Sequence, residues 1–449
     1  MRTDLTAKYD LRVPRYTSYP TAPHFGPAVG ADRYAAWLAD LAPQIDLSLY
    51  LHVAYCAEMC WFCGCHTKAT KHYAPVADYL DCLLSEIDLV ADRLPARMTA
   101  RHIHFGGGSP SILTPDDFIR TLESLKRRFD LAADAEVAVE LDPRTTDRAN
   151  VETMAAGGVN RVSIGVQDFD PKVQRAINRI QPYELTARVI GWLRECGIGT
   201  INMDLIYGLP HQTLESLAET IWRTVGLQPS RIALFGYAHV PWMKRHQRLI
   251  PDNSLPGLEE RWLQYETAAQ QLMTAGYVRI GLDHFAHPDD PLAVAQRKGR
   301  LHRNFQGYTT DESECLIGFG ASAIGSLPRG YVANETAINS YKELIRAGSL
   351  GTARGVAIDQ DDLLRRELIE RLMCDLSLDL DGLARRRGVD ARQFDEDIAR
   401  LAPMQADGLI TIEGRRLTMT EAGRPLVRAA CAAFDRYLHA GEMRHSQAV

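Results

Sequence analysis

Cys56-Ala57-Glu58-Met59-Cys60-Trp61-Phe62-Cys63-Gly64-Cys65 sets four cysteines within ten residues, directly after an apolar run at Ser48–Ala54. Cys56, Cys60 and Cys63 follow the spacing C-x₃-C-x₂-C, so a short excursion of the chain brings three thiolates around one centre. The occupant this spacing predicts is an iron–sulfur cluster. A cubane has four irons, and three ligands leave one iron open to bind a substrate, as catalytic metal sites do. An electron-transfer ferredoxin needs a fourth ligand, and a structural zinc site needs two ligand pairs across a longer loop. Zinc, or thiols that merely cluster, are the alternatives that spacing leaves open.

On both sides of this loop, strand-like and helix-like segments alternate. Strand candidates are Ser48–Ala54, His102–Phe105, Glu136–Leu141, Arg161–Val166, Thr200–Ile206 and Arg231–Phe235, rich in Val, Ile, Leu or Phe. The clearest helix between them is Asp116–Phe129, with Phe118, Leu122, Leu125 and Phe129 on one face, Thr114 as cap and Pro115 in the first turn. Six such units predict a parallel sheet covered by helices, either an open doubly wound sheet or a partial barrel. Polar and glycine residues collect where these strands end: Gly106-Gly107-Gly108-Ser109-Pro110, Glu140, Gln167, Asp204 and Tyr237-Ala238-His239. Barrels and parallel sheets place their active sites there.

The chain of 449 residues has 46% hydrophobic and 24% charged residues, ordinary for a globular protein of two or three domains. Its net charge of −6 gives no general reason to expect nucleic acid or an anionic membrane as partner. The start lacks the apolar stretch of a signal peptide, and no run of about 18 apolar residues predicts a membrane span. Nine cysteines, an odd number with four clustered, suit a reducing compartment, so a cytoplasmic location is expected.

C-x₃-C-x₂-C is the signature of the radical S-adenosylmethionine superfamily, and further stretches narrow the likeness. They are Pro14-Arg15-Tyr16-Thr17-Ser18-Tyr19-Pro20-Thr21, Phe105–Pro110, Glu140-Leu141-Asp142-Pro143-Arg144 and Gly165-Val166-Gln167-Asp168-Phe169. Two more are Asp204-Leu205-Ile206-Tyr207-Gly208-Leu209-Pro210 and His302-Arg303-Asn304-Phe305-Gln306-Gly307-Tyr308. With them the chain resembles, over nearly its whole length, the oxygen-independent coproporphyrinogen III oxidase (dehydrogenase) family. The resemblance implies an α/β fold: a three-quarter (βα)6 barrel at 36–350, an N-terminal arm at 1–35 over the active site, and a mainly helical, winged-helix-like domain at 351–449. It implies one 4Fe–4S cluster held by Cys56, Cys60 and Cys63, and two molecules of S-adenosylmethionine. Tyr50, Gly107, Glu140 and Ile324 would touch the first; Phe62, Gly108, Ser109, Gln167, Arg179, Asp204 and Ala238 would hold the second. Glycines allow close backbone approach, Glu140 and Asp204 can accept hydrogen bonds, and Arg179 can pair with a carboxylate. The family's His-Ile-Pro-Phe-Cys reads His52-Val53-Ala54-Tyr55-Cys56 here, and Ser109 replaces a threonine.

The implied reaction is oxidative decarboxylation of two propionates of coproporphyrinogen III to vinyl groups, giving protoporphyrinogen IX in heme biosynthesis. A propionate β-hydrogen is too weakly acidic for a side-chain base, hence a 5′-deoxyadenosyl radical. The substrate is tetra-anionic and the chain acidic, so local cations must hold it. Arg15, His302 and Arg303 are the candidates, with Tyr16, Gln306 and Tyr308 as neutral donors. Cys65 follows Cys63 too closely to share its cluster comfortably and marks the decarboxylase branch, which places it on the substrate side. An electron donor such as flavodoxin or ferredoxin is expected, and a monomer. After Asp359-Gln360-Asp361-Asp362 the tail shows an amphipathic helical pattern through Arg371, then at Leu380–Arg386 and Phe394–Leu401, then a hairpin turning near Gly414. A cap over the active site fits it better than DNA binding, because no basic stripe dominates its last helices. A heme-binding chaperone and a radical methyltransferase of the same superfamily are the competing functions.

Overall fold

Each of the six apolar runs forms a strand: β1 (Leu47–Val53), β2 (Thr99–Gly107), β3 (Asp130–Leu141), β4 (Arg161–Gln167), β5 (Thr200–Tyr207) and β6 (Arg231–Gly236). A helix follows each in turn: α1 (Ala74–Ala91), α2 (Pro115–Arg128), α3 (Arg148–Gly157), α4 (Tyr183–Glu195), α5 (Leu214–Gly226) and α6 (Leu258–Thr274). The computed structural model describes residues 5, 8–9 and 13–438. Local chemistry sets the helix starts. The Thr114 hydroxyl accepts from Asp117 N at α2, and reciprocal side-chain–backbone caps open α3 at Asp147 and α5 at Thr213.

The six strands pair in parallel and in sequence order at the centre of a twelve-stranded sheet. Cys315–Phe319 adds a further parallel partner to β1, followed by antiparallel Ile324–Leu327, Gly330–Asn334 and Thr352–Ala357. Beyond β6 lie antiparallel His284–Ala286 and Val278–Ile280. Alternation separates the faces. Leu49, Leu51, Ile103, Phe105, Ile201 and Met203 are buried in the core that packs against the helices. Their neighbours Ser48, His102, Glu136, Arg161, Asn202 and Arg231, one from each of the six strands, line a single inner cavity of about 210 Å³. A sheet whose six strands all face one cavity is curled, which decides for the partial barrel over the open sheet.

The strand Thr352–Ala357 carries the sheet past the expected end of the barrel at 350. Helix Ala31–Ala39 buries Tyr34, Trp37 and Leu38 in the main core, so the barrel unit begins before 36. The tail holds helix Gln360–Asp375, helix Leu380–Arg387 and the hairpin Ile410–Glu413 with Arg416–Met419, which turns at Gly414. The expected helix Phe394–Leu401 is instead a 3₁₀ turn, Ala391–Phe394, followed by the short helix Asp395–Ala399. Ser377–Asp379 pairs with Arg416–Met419 as a third strand, completing the winged-helix arrangement. The arm packs on this tail: Tyr16 and Tyr19 share a core with Leu368, Leu372, Leu417 and Phe434. No helix among the described residues is long and apolar enough to cross a membrane.

Candidate functional site

The Cys56–Cys65 loop leaves the carboxyl end of β1 and is held from three directions. Gly108 N donates to Val53 O (2.7 Å) and Ser109 N to Tyr55 O (2.9 Å), so the triple-glycine turn after β2 lies against the loop's stem. Gly107 has φ +105°, and a Cβ there would fall 2.5 Å from the His52 ring; at Gly108 it would fall 2.5 Å from Tyr55 O. These glycines therefore make room for the protein's own packing around the loop, a role the sequence reading did not assign them. On the far side, Trp61 N donates to Ile177 O (2.9 Å) and Asn178 Nδ2 to Met59 O (2.8 Å). From the third side, His246 Nε2 meets Cys63 O at 2.7 Å and Gln247 Nε2 donates to Phe62 O at 2.9 Å.

The donor set fits an iron–sulfur cluster. Three thiols on one short loop, with Arg144 and Arg179 beside Cys60, suit a polynuclear centre whose ligands attach to separate irons. Arg144 and Arg179 donate to Cys60 Sγ (3.2 and 3.4 Å), and Asp142 pairs with both (2.7 and 3.2 Å). Burial pushes Asp142 up, but Arg179 and Arg144 outweigh it and hold it at about 2. The Cys65 thiol and backbone N–H lower Cys63, while Cys65 itself is raised by its neighbour Cys63. Burial pushes Cys56 up to about 12, against a hydrogen bond with Thr67 Oγ1 (3.2 Å), a penalty that direct coordination of a metal would override.

The residues expected at the two cofactor molecules lie along the strand ends and the loops beyond them, and Glu140 and Asp204, expected at different molecules, line one cavity. Tyr50, Gly107 and Glu140 lie together at the ends of β1, β2 and β3. His104 Nε2 bonds Glu140 (2.9 Å) while its ring stacks on Tyr50 at 5.8 Å. Burial raises Glu140, yet the His104 bond and charge, helped by Gly107 N–H, hold it below its ordinary range. Ile324, half-buried, opens the strand beyond Cys315–Phe319. Among those expected at the second molecule, Asp204 accepts from Asn202 Nδ2 (2.7 Å) and Ser163 Oγ (3.0 Å), and burial, then Glu140, raises it to about 6. Gln167 sits at φ +69°, a strained backbone where β4 shifts register. Arg179 spends Nη2 on Gly165 O (2.6 Å) and Nη1 on Asp142 and Cys60, leaving its buried Nε without a hydrogen bond among the described residues. Phe62 packs against the cluster of Val173, Ile177 and Tyr237. The Ser109 hydroxyl is tied to Ser111 Oγ at 2.9 Å, and Ala238 O accepts from Gln247 Nε2 at 3.2 Å.

A cavity of about 500 Å³ opens beside β6, and Ala238 lies in its wall. Four arginines line it, Arg15, Arg261, Arg303 and Arg428, against a single carboxylate, Asp283. Arg303 lies 4.5 Å over the Tyr308 ring and 4.0 Å from Asp283, its side chain 6% exposed. Its Nε and Nη1 are buried without a hydrogen-bond partner among the described residues. Burial, then Arg15 and Arg303, lowers Arg428 to about 10. Burial and Arg303 also lower Arg15, against Asp283. The cationic cavity thus brings Arg15, Arg303 and Gln306 together with Arg261 and Arg428.

Three expected substrate contacts are placed elsewhere. Tyr16 is turned into the tail, its hydroxyl donating to Asp435 (3.1 Å), because the arm's aromatic rings fill the tail's core. His302 bonds Glu370 (3.1 Å) and faces a neighbouring cavity. The Tyr308 hydroxyl donates to Met373 O (2.8 Å) and accepts from Leu282 N (2.9 Å), which leaves only its ring to the cationic cavity, through Arg303. Asp142 and Arg144 stood in a motif already read but drew no role. Arg428 carried no sequence signal, since nothing local marks a tail residue that meets the arm.

Residues 50–221 match the Radical SAM superfamily and residues 358–426 the HemN C-terminal domain. Oxygen-independent coproporphyrinogen III oxidase of Bradyrhizobium diazoefficiens is 50% identical over 450 residues, covering 100% of both chains. The protein of the same name from Paracoccus denitrificans is 42% identical, covering 96% of this chain and 95% of its own. Among solved structures, coproporphyrinogen III oxidase (HemN) from Escherichia coli, described as a radical SAM enzyme, superposes with a TM-score of 0.91. It is 38% identical over 95% of this chain and 100% of that one.

Proposed function

The chain belongs to the oxygen-independent coproporphyrinogen III oxidase family of radical SAM enzymes, and from this we propose that its cationic cavity holds coproporphyrinogen III while two propionates become vinyl groups. The protein is a radical S-adenosylmethionine oxidoreductase of porphyrin biosynthesis. The observation that carries the substrate reading is Arg303. Among the described residues two of its buried nitrogens lack hydrogen-bond partners, in a cavity that Arg15, Arg261 and Arg428 also line. Such a site is incomplete without an anion, and a polycarboxylate supplies several.

Cys56, Cys60 and Cys63 would hold one 4Fe–4S cluster, with Arg144 and Arg179 donating to Cys60 Sγ. Tyr50, Gly107, Glu140 and Ile324 would hold one S-adenosylmethionine, with Glu140 oriented by His104. Phe62, Gly108, Ser109, Gln167, Arg179, Asp204 and Ala238 would hold a second. Arg179 offers its unbonded Nε to a carboxylate. When bound, cluster and S-adenosylmethionine supply one-electron reduction and radical hydrogen abstraction, chemistry no side chain here provides. The chain's share is to bind, orient and exclude water. Arg15 and Arg303 hold propionates, and the arm closes the cavity from the tail side, where Arg428 Nε donates to Pro14 O (2.9 Å). Cys65 lies beside the ligands but outside them, in a groove it shares with His66, Lys244 and His246 rather than in the wall of the cationic cavity.

Replacing Arg303 by Ala tests this reading. It is expected to weaken coproporphyrinogen III binding about tenfold to a hundredfold, the scale of a charge-assisted hydrogen bond of ~1.5–3 kcal/mol. Iron content and S-adenosylmethionine affinity should stay unchanged. Unaltered substrate affinity in that variant would remove the cavity from the account.

A further inference from the structure

The chain is acidic, with net charge −6, yet Trp242–Pro251 holds Lys244, Arg245 and Arg248 and no carboxylate. Among the described residues, none of these three cations makes an ion pair. Lys244 Nζ donates to Cys65 O (3.0 Å) and Arg248 Nε to Pro241 O (3.4 Å). Around them Met243 is 65% exposed, Leu249 57% and Trp242 46%, an unusual concentration of apolar side chains in water. The inner side of the same segment touches the cluster loop at three successive places: Gln247 on Phe62 O, His246 on Cys63 O and Lys244 on Cys65 O. One short stretch is therefore both an exposed surface of positive charge and apolar groups and a direct contact of the metal-ligand loop.

A small anion is not what this surface fits. Arg245, Arg248, Met243 and Leu249 are all exposed; Met243 and Arg245 border an open groove beside Cys65 and Arg248 another beside Pro251, while none of the four lines the cationic cavity with its four arginines. Exposed cations interleaved with exposed apolar side chains form the pattern of a transient protein contact. Complementary charge speeds encounter there, and a few apolar groups fix the pose. Building on the function proposed above, we propose that Trp242–Leu249 is the docking surface for a small acidic one-electron carrier protein, which passes its electron to the metal centre through the Cys63 side of the loop. In that exchange the carrier is oxidised by one electron and the centre reduced by one. No bond is made or broken and no proton moves between the partners.

Flavodoxin, an acidic one-electron carrier, is the probe. Its oxidised form should bind the unmodified protein with an affinity that falls as ionic strength rises. Arg245→Glu combined with Arg248→Glu should weaken that binding at least about tenfold and flatten its salt dependence. Flavodoxin-driven reduction of the cluster should slow in parallel. Neither arginine touches the cluster loop or the cavity, so dithionite-driven vinyl formation and its KM for coproporphyrinogen III should not change. Met243→Ser, which alters no charge, should weaken flavodoxin binding without changing its salt slope, an independent check should the double variant fold poorly. Unchanged flavodoxin binding and reduction in both variants would overturn the proposal. A raised KM for the substrate under dithionite would overturn it too, by assigning the surface to the tetrapyrrole. Loss of dithionite-driven vinyl formation in the unmodified protein would contradict the proposed function instead, and flavodoxin binding would still decide the docking surface.

Discussion

Cys63 and Cys65, separated by one glycine, hold their protons unequally: Cys65 lowers its neighbour and is raised by it. The loop geometry explains this, since Cys65 N also donates to Cys63 Sγ (3.4 Å). A ligand thiolate is thereby favoured at Cys63, and a thiol that keeps its hydrogen stands beside it. Cys65→Ser should accordingly retain iron, sulfide and S-adenosylmethionine binding but lose vinyl formation by about a hundredfold, the scale of removing one positioned proton- or hydrogen-bearing group. Iron analysis and product quantification on one anaerobic sample check both halves. Decarboxylation by the Cys65→Ser variant at the unmodified rate would make the thiol purely structural. The three expected ligand cysteines stand out in the sequence because they share one short loop. Arg144 does not, because its bond to Cys60 Sγ joins residues on different βα units, and no local pattern predicts which arginine reaches which sulfur.

At the level of elements, all six barrel strands were legible from their apolar runs, and α2 from its cap. The curl of the sheet was not. It arises from polar residues such as Ser48, Glu136 and Arg231 sharing an inner cavity, which period-two alternation does not reveal. The same blindness hid the support of the barrel's first seam. Glu86 of α1 is buried and accepts from Gly320 N (2.6 Å), Asn334 Nδ2 (2.7 Å) and the Tyr341 hydroxyl (2.7 Å), tying the helix to the strands beyond β1. Burial raises its carboxyl from 4.5 to about 7 despite these donors. The folded state therefore holds the proton more tightly than the unfolded chain, and this group's contribution to stability falls as pH rises from about 4.5 to 7. Denaturation between those pH values should show a shallower stability loss in Glu86→Gln than in the unmodified protein. Glu86→Ala should cost about 1–3 kcal/mol for each donor left buried without a partner. An unchanged pH slope in the glutamine variant would shift the titration to another group.

Across the whole molecule, the arm and the tail act as one unit although they lie at opposite ends of the chain. Tyr16 reaches Asp435, the Tyr19 hydroxyl accepts from Arg436 N, and Arg428 binds the carbonyls of Val13 and Pro14. Clamping the backbone at 13–14 directs Arg15 into the cationic cavity, which is why the arm contributes Arg15 to the site and Tyr16 to the tail's core. A sequence places both residues in one motif; only the docked tail separates their roles. The account then stands or falls on what the loaded cavity produces. Cluster-containing protein, a reductant, S-adenosylmethionine and coproporphyrinogen III, incubated without oxygen, should yield protoporphyrinogen IX and carbon dioxide, with methionine and 5′-deoxyadenosine as co-products. A methylated acceptor with S-adenosylhomocysteine, or an unchanged tetrapyrrole beside tightly held heme, would contradict it.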